Sequence, residues 1–258
     1  MGKIIAVVNQ KGGVGKTTTA VNLGAYLANA GRSVLLVDVD PQANASSGLG
    51  IETRKIKQGI YDALIGQARI FDIIKRSKQH NYYVAPATAA LAGAAIELIG
   101  MEDREFRLLR LLNQVKEEYD YIIIDGPPSL GLLTVNSLTA ADEVLIPIQS
   151  EYYALEGLGQ LLETIALIQN NLKPSLGILG AVITMYDRRN RLSELVKKEI
   201  EEYFPQRVFN SIIPRSVKLA EAPSYGQTIL SYEPKSKGAL AYQSLAEELI
   251  SLENNLTQ

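Results

Sequence analysis

Ile4-Ile5-Ala6-Val7-Val8-Asn9-Gln10-Lys11-Gly12-Gly13-Val14-Gly15-Lys16-Thr17-Thr18 is the stretch that decides the fold. An apolar run of strand length, Ile4 to Val8, leads into a glycine-rich turn, and a run of helical period begins near Thr17. Glycine lacks the Cβ that would keep backbone N–H groups off phosphate oxygens, the following helix presents its positive end, and Lys16 adds a point charge. The turn therefore reads as a phosphate-binding loop spanning Gly12, Gly13, Val14, Gly15, Lys16, Thr17 and Thr18, with the Thr17 hydroxyl placed to ligate Mg²⁺. It departs from the usual G-x-x-x-x-G-K-[ST] pattern in two ways: Gln10 stands in the place of the first glycine, and a second lysine, Lys11, enters the loop.

Outside this loop, apolar runs of strand length recur at Val34 to Val37, Tyr82 to Ala85, Tyr121 to Ile124, Glu143 to Ile148, Ile178 to Thr184 and Val208 to Ile213. Between most of them lie longer segments of helical period: Thr17 to Ala30 ending at Gly31, Arg104 to Tyr119, and Leu155 to Leu172, with Ser193 to Tyr203 and Ala239 to Leu252 completing the set. Strands that are apolar at nearly every position, without alternation, imply burial on both faces. The expectation is an α/β fold, a mostly parallel twisted sheet with helices on both sides, and a single domain over residues 1–258.

Composition narrows the chemistry. With 258 residues, 47% of them hydrophobic, a sizeable core can form. The absence of cysteine removes disulfides, thiolate metal sites and cysteine nucleophiles. His80, the only histidine, cannot anchor a metal cluster and is expected in a solvated loop. No apolar stretch approaches the roughly 18 residues a membrane span requires, and the first residues lack a signal-peptide layout. Ala6 stands where a myristoylation start needs serine or threonine. The expectation is a soluble, cytoplasmic protein. A net charge of −2 means that any nucleic-acid binding must come from a local patch.

Ligands of open α/β sheets bind beyond the carboxyl ends of the strands. Two aspartate clusters lie there: Asp38-Val39-Asp40-Pro41-Gln42 after the second strand and Asp125-Gly126-Pro127-Pro128 after the fourth. Asp125 is placed to hold Mg²⁺ through water. Asp38 and Asp40 would share one face if the strand continued through them, one supporting the lysine or metal and the other orienting the attacking water. The same aspartates could instead be turn formers before proline.

Lys11 to Thr18, Asp38-x-Asp40-Pro41-Gln42 and Ile124-Asp125-x-Pro127-Pro128 together resemble the deviant Walker A ATPases of the ParA/MinD group. Likeness to the short, Soj-type form of ParA runs along nearly the whole chain. Glu151-Tyr152-Tyr153-Ala154-Leu155-Glu156-Gly157-Leu158, Thr184-Met185-Tyr186-Asp187, and Ile213 to Ser224 all look like its signatures. The resemblance implies an Mg²⁺-dependent ATPase that cycles between ATP and ADP. ATP would close a sandwich homodimer in which Lys11 reaches the phosphates held by the other copy and Gly12 lies at the crossing. Lys11, Lys16 and Asp40 would be catalytic, with Thr17, Asp38 and Asp125 around the metal. Met185, Pro214, Arg215 and Ser216 would form the adenine pocket; Ser216 stands where the Soj pattern commonly has asparagine.

The resemblance also implies non-specific binding to double-stranded DNA, with Arg189 and Lys218 at positions where Soj-like proteins carry basic residues. Met185 to Lys218 holds eight basic residues against five acids; Arg54 to Lys78 holds seven against two. Of the two clusters, Arg54 to Lys78, the first along the chain, reads better as a solvated charged surface. The implied cycle is one of chromosome or plasmid partition on the nucleoid, with hydrolysis stimulated by a ParB-like partner. A MinD-like positioning ATPase acting on a membrane or a protein cargo is the alternative, although the tail Ser251 to Gln258 lacks a basic amphipathic helix. A nitrogenase iron protein is excluded by the missing cysteines.

Overall fold

The structure is a computed structural model that describes residues 2–151, 154–204 and 207–256. Its centre is β1 (Lys3–Val7), flanked by β5 (Tyr121–Asp125) and β6 (Glu143–Gln149), and all but the first residue of β1 are buried. Outward on one side lie β2 (Val34–Asp38), β4 (Tyr82–Ala85) and the two-residue β3 (Lys75–Arg76). On the other side lies β7 (Gly177–Thr184), giving the order β3-β4-β2-β5-β1-β6-β7. Every pairing is parallel except β3 with β4. The mostly parallel sheet expected from the unbroken apolar strands is present.

Two separate cores explain why polarity does not alternate along these strands. Ile4, Ala6, Leu35, Val37, Ile122 and Ile124 point into one; Ile5, Val7, Leu36 and Ile123 point into the other. The second core is closed by helices Lys16–Asn29 and Lys237–Leu256, whose Leu23, Leu27, Tyr242 and Leu245 are almost fully buried. Helix Lys16–Asn29 stops where expected, because Gly31 takes a left-handed φ of 87° and lets the next N–H groups turn back onto the Ala28 and Leu27 carbonyls.

Two expected elements differ. Val208 to Ile213 forms no strand; the segment runs beside β7 through isolated bridges at Val208 and Pro214. The reason lies in helix Lys237–Leu256, where the Glu248 carboxylate accepts the backbone N–H groups of Asn210 and Ser211 at 2.7 and 2.9 Å and diverts them from the sheet. The helix expected over Arg104 to Tyr119 is also broken, into a 3₁₀ turn at Arg104–Phe106, an α-helix at Arg107–Asn113 and a second 3₁₀ turn at Lys116–Glu118. Side chains of helix Leu132–Ala140 intercept its first turn: Asn136 accepts from Leu108 N and donates to Arg104 O, and Thr139 donates to Glu105 O. Among the described residues no helix is long and apolar enough to cross a membrane. Tyr152, Tyr153, Thr257 and Gln258, quoted in the sequence motifs, lie outside the described residues.

Candidate active site

The glycine loop leaves the end of β1 and is held from both sides. Asn9 donates to Pro147 O at 2.8 Å and accepts from Lys11 N at 3.0 Å. Gln10, the departure from the usual pattern, donates from Nε2 to Gly157 O and Gln160 Oε1, both at 2.9 Å, so it fastens the loop to helix Ala154–Asn171. Gly13 and Gly15 adopt φ of 77° and 89°, a region that a residue with a Cβ avoids. Val14 between them is buried, and its carbonyl accepts from Thr184 Oγ1 at 2.8 Å. Gly12 is exposed, and a Cβ there would meet nothing within 4 Å.

The two lysines of the loop face different ways. Lys16 is 6% exposed, and its ammonium donates to the Lys11 carbonyl at 3.0 Å. Burial lowers its pKa, with the charges of Asp125 and Asp40 working against that fall. Lys11 is half-buried and reaches outward, its Nζ 3.8 Å from Glu151 Oε2. Glu151 also accepts from Arg215 at 3.2 Å and from Gln149 at 2.6 Å. One carboxylate thus ties the loop to the segment that carries Arg215. This role of Glu151 goes beyond what the sequence reading assigned; the only signal was its place at the head of a quoted motif.

Beyond the lysines lies a cluster of buried carboxylates. Asp125 closes β5, and its Oδ2 accepts from Thr17 Oγ1 at 2.8 Å while its buried Oδ1 has no partner. Burial drives the Asp125 pKa well up, and the neighbouring Asp38 reinforces the rise. Asp38 sits opposite Asp125 in the β2–β5 register and is pushed up to about 6 by burial. Its Oδ2 accepts from Ser46 N at 2.8 Å and Ser46 Oγ at 2.7 Å, and its Oδ1 from Asp40 N at 3.2 Å. β2 ends at Asp38, so the continued strand that would have set Asp38 and Asp40 on one face does not exist. Asp40 belongs to the following turn, where its Oδ1 accepts from Gln42 N at 2.9 Å.

These residues suit a hard divalent cation. An orphaned carboxylate oxygen beside a threonine hydroxyl, in a pocket with three carboxylates and one buried ammonium, is short of positive charge. Among the described residues no three acidic or histidine side chains converge as a complete ligand set. That matches Mg²⁺, which takes one or two carboxylates and keeps water or phosphate for its other positions.

Beside the loop is a cleft of about 190 Å³. Met185, Pro214, Arg215 and Ser216, the residues the resemblance assigns to an adenine, line it together with Gly15 and Thr18 of the loop. Tyr242 joins them from helix Lys237–Leu256, its hydroxyl 3.1 Å from Thr19 Oγ1; no sequence signal pointed to it. Met185 takes a left-handed φ of 51°, which turns the chain so that Tyr186 N donates to Ile213 O and Tyr186 O accepts from Arg215 N, both at 3.1 Å, on either side of Pro214. A larger bowl of about 670 Å³ opens at the opposite ends of the strands, where Lys3 pairs with Glu143 and Glu253 and Lys116 pairs with Asp142.

Arg189 and Lys218 are both exposed. Arg189, with 90% of its side chain in solvent, forks onto Asp187 at 3.0 and 2.9 Å, and these bonds pull Asp187 down to about 2. Lys218 pairs with Glu221 at 2.9 Å. His80 is exposed, as expected.

Comparison with known proteins fits this geometry. The AAA domain family matches residues 2–178. The sporulation initiation inhibitor protein Soj of Bacillus subtilis is 57% identical over 249 residues, 96% of this chain and 98% of that protein. The chromosome-partitioning ATPase Soj of Treponema pallidum is 52% identical over 97% of this chain and 98% of its own length. Among solved structures, a Mycobacterium smegmatis protein named cobyrinic acid a,c-diamide synthase, with bound ADP and magnesium, superposes with a TM-score of 0.87 at 38% identity, covering 98% of this chain and 96% of that one. The septum site-determining protein MinD of Pyrococcus horikoshii, complexed with Mg-ADP, does so at 0.80 and 29% identity, covering 98% of each. With its phosphate loop, its carboxylate cluster and full-length identity of this order, the chain belongs to the Soj/ParA branch of the ParA/MinD ATPases.

Proposed function

We propose that the chain is a partition ATPase that works as an ATP-gated homodimer on DNA. It hydrolyses ATP to ADP and phosphate with Mg²⁺. The observation that carries the reading is the opposed placement of two lysines on one loop: Lys16 turned inward and buried, Lys11 turned outward onto Glu151.

In this reading Lys16 leaves the Lys11 carbonyl and neutralises the phosphates of its own nucleotide, helped by the N–H groups from Gly12 to Thr18. Thr17 and Asp125 hold Mg²⁺, and Asp38 adds negative charge behind Asp125. The bound ion supplies positive charge to the phosphate oxygens. Asp40 orients the attacking water. Met185, Pro214, Arg215 and Ser216 seat the adenine. Lys11 releases Glu151 and reaches the phosphates held by the second copy, supplying charge to the transition state as an arginine finger does.

Closing the dimer doubles the basic surface carrying Arg189 and Lys218. Affinity for double-stranded DNA rises with the number of phosphates neutralised, so nucleotide controls attachment to the nucleoid. A ParB-like centromere-binding protein then accelerates hydrolysis and releases the chain, driving segregation of a chromosome or plasmid.

The test uses Asp40→Ala, which should bind ATP without turning it over. Gel filtration is expected to show a dimer with ATP and a monomer with ADP, and only the dimer should bind a random-sequence duplex, with affinity falling steeply as salt rises. A monomer in both states, or salt-insensitive binding unchanged by Arg189→Glu, would overturn the reading.

A further inference from the structure

The two basic clusters of the sequence are separate in the chain but meet on the surface. Their junction is a pair of glycines. Gly50 follows the short helix Asn44–Gly48, and Gly226 follows the 3₁₀ turn Ala222–Tyr225; both have left-handed φ, 76° and 61°. They are packed backbone to backbone: a Cβ on Gly50 would fall 2.9 Å from Gly226 O, and one on Gly226 would fall 2.8 Å from Gly50 Cα. Lys78, the last cation of the first cluster, lies over this junction with its Nζ 3.7 Å from the place of a Gly50 Cβ. Its side chain is exposed and has no acidic partner among the described residues.

On the other side of the junction is Tyr225, next to Gly226 in the chain and 62% exposed. Its ring stacks on Tyr232 with centroids 5.2 Å apart and planes at 23°. The Lys218 ammonium stands 5.7 Å from the centre of the Tyr232 ring. Glu221 is engaged by both the Lys218 ammonium and the Tyr232 hydroxyl, at 2.9 and 3.0 Å, and Glu233 stands near enough to act on the Lys218 charge. The surface therefore reads, in order, cation, stacked rings, glycine junction, cation.

We propose that this ribbon is a DNA track on which a duplex backbone passes from Lys218 to Lys78 with the Tyr225 ring lying against a deoxyribose. Lys78 and Tyr225 thereby become DNA-contact residues, and the first basic cluster, read from sequence as a solvated surface, becomes part of the binding face. The proposal rests on the DNA-binding reading given above. Its physical basis is complementarity: ammonium groups at both ends replace phosphate counterions, while a flat apolar ring between them meets the part of the backbone that carries no charge and no sequence. Glycines at the crossing keep side chains out of the path.

Charge and ring predict different signatures, which makes the inference testable by binding of a random-sequence duplex to the ATP-bound Asp40→Ala chain across a salt series. Adding Lys78→Gln should weaken binding and reduce the slope of log affinity against log salt by about 0.9, one phosphate contact. Tyr225→Ala should weaken binding about fivefold, the scale of one exposed aromatic contact, with the slope unchanged. Tyr225→Phe should restore it. Arg110→Gln, on a helix away from the ribbon, should change nothing, and circular dichroism should show every variant folded. If the parent chain binds no duplex, the DNA reading fails and the track with it. If the parent binds and Arg189→Glu does not, while Lys78→Gln and Tyr225→Ala bind like the parent, the track alone is wrong. Retention on anionic vesicles instead of duplex, lost in the same two variants, would overturn it in favour of a membrane face.

Discussion

At Lys16 the ammonium is buried and donates to its own loop, whereas at Lys11 it is half-exposed and rests 3.8 Å from Glu151. Removing the first should abolish nucleotide binding by a single chain. Lys11→Ala should leave that binding intact and lower turnover by about 10²–10³-fold, the scale of losing one transition-state charge. Titration with a fluorescent nucleotide and a steady-state phosphate assay separate the two. A second expectation concerns the acids beside the basic patch. Asp187 and Glu221 occupy the cations that DNA would need, so Asp187→Asn and Glu221→Gln should each strengthen duplex binding by about two- to fivefold, as losing a weak exposed competitor allows; fluorescence anisotropy reads this directly. Lys11, Lys16, Thr17 and Asp125 were legible because a phosphate loop and a strand-ending carboxylate have characteristic spacing. Glu151 and Tyr242 were not, because their partners Arg215 and Thr19 come from remote parts of the chain, and Ser46 was not, because only the turn after β2 brings it back onto Asp38.

Between residue and molecule, helix Lys16–Asn29 is tied to the proposed DNA track through one amide. Asn22 donates to Thr18 O and accepts from the buried Ile229 N, both at 2.8 Å. Ile229 begins the helix Ile229–Tyr232, which carries the lower ring of the Tyr225 stack. Asn22→Ala strands the Ile229 N–H in the core at a cost of about 1–3 kcal/mol. The melting temperature should fall by about 2–4 °C for each kcal/mol, as checked by calorimetry. Elements were legible where one physical term dominated. The central strands are apolar on both faces and could be little else. Arg104 to Tyr119 has a good helical stripe, yet Asn136 and Thr139 capture its first turn from a neighbouring helix. Val208 to Ile213 has a good strand composition, yet Glu248 takes two of its N–H groups. In both cases a polar side chain distant in sequence outbid the local preference.

For the whole molecule, Gly12 separates folding from assembly. Nothing in the chain itself lies within 4 Å of where its side chain would begin, so Gly12→Val should leave the melting temperature and nucleotide binding near those of the parent. In the closed dimer proposed above the same position would face the other copy, so gel filtration with ATP should show only monomer; an unchanged dimer would remove Gly12 from the interface. The margins of the sheet bear on assembly at larger scale. One margin is a two-residue strand of lysine and arginine, and the other is screened by the segment whose N–H groups are handed to Glu248. A neighbouring chain therefore finds no row of free backbone groups on which to extend the sheet. Any association between copies of this chain is therefore left to side-chain surfaces, where two copies could meet and part without any strand changing its partners.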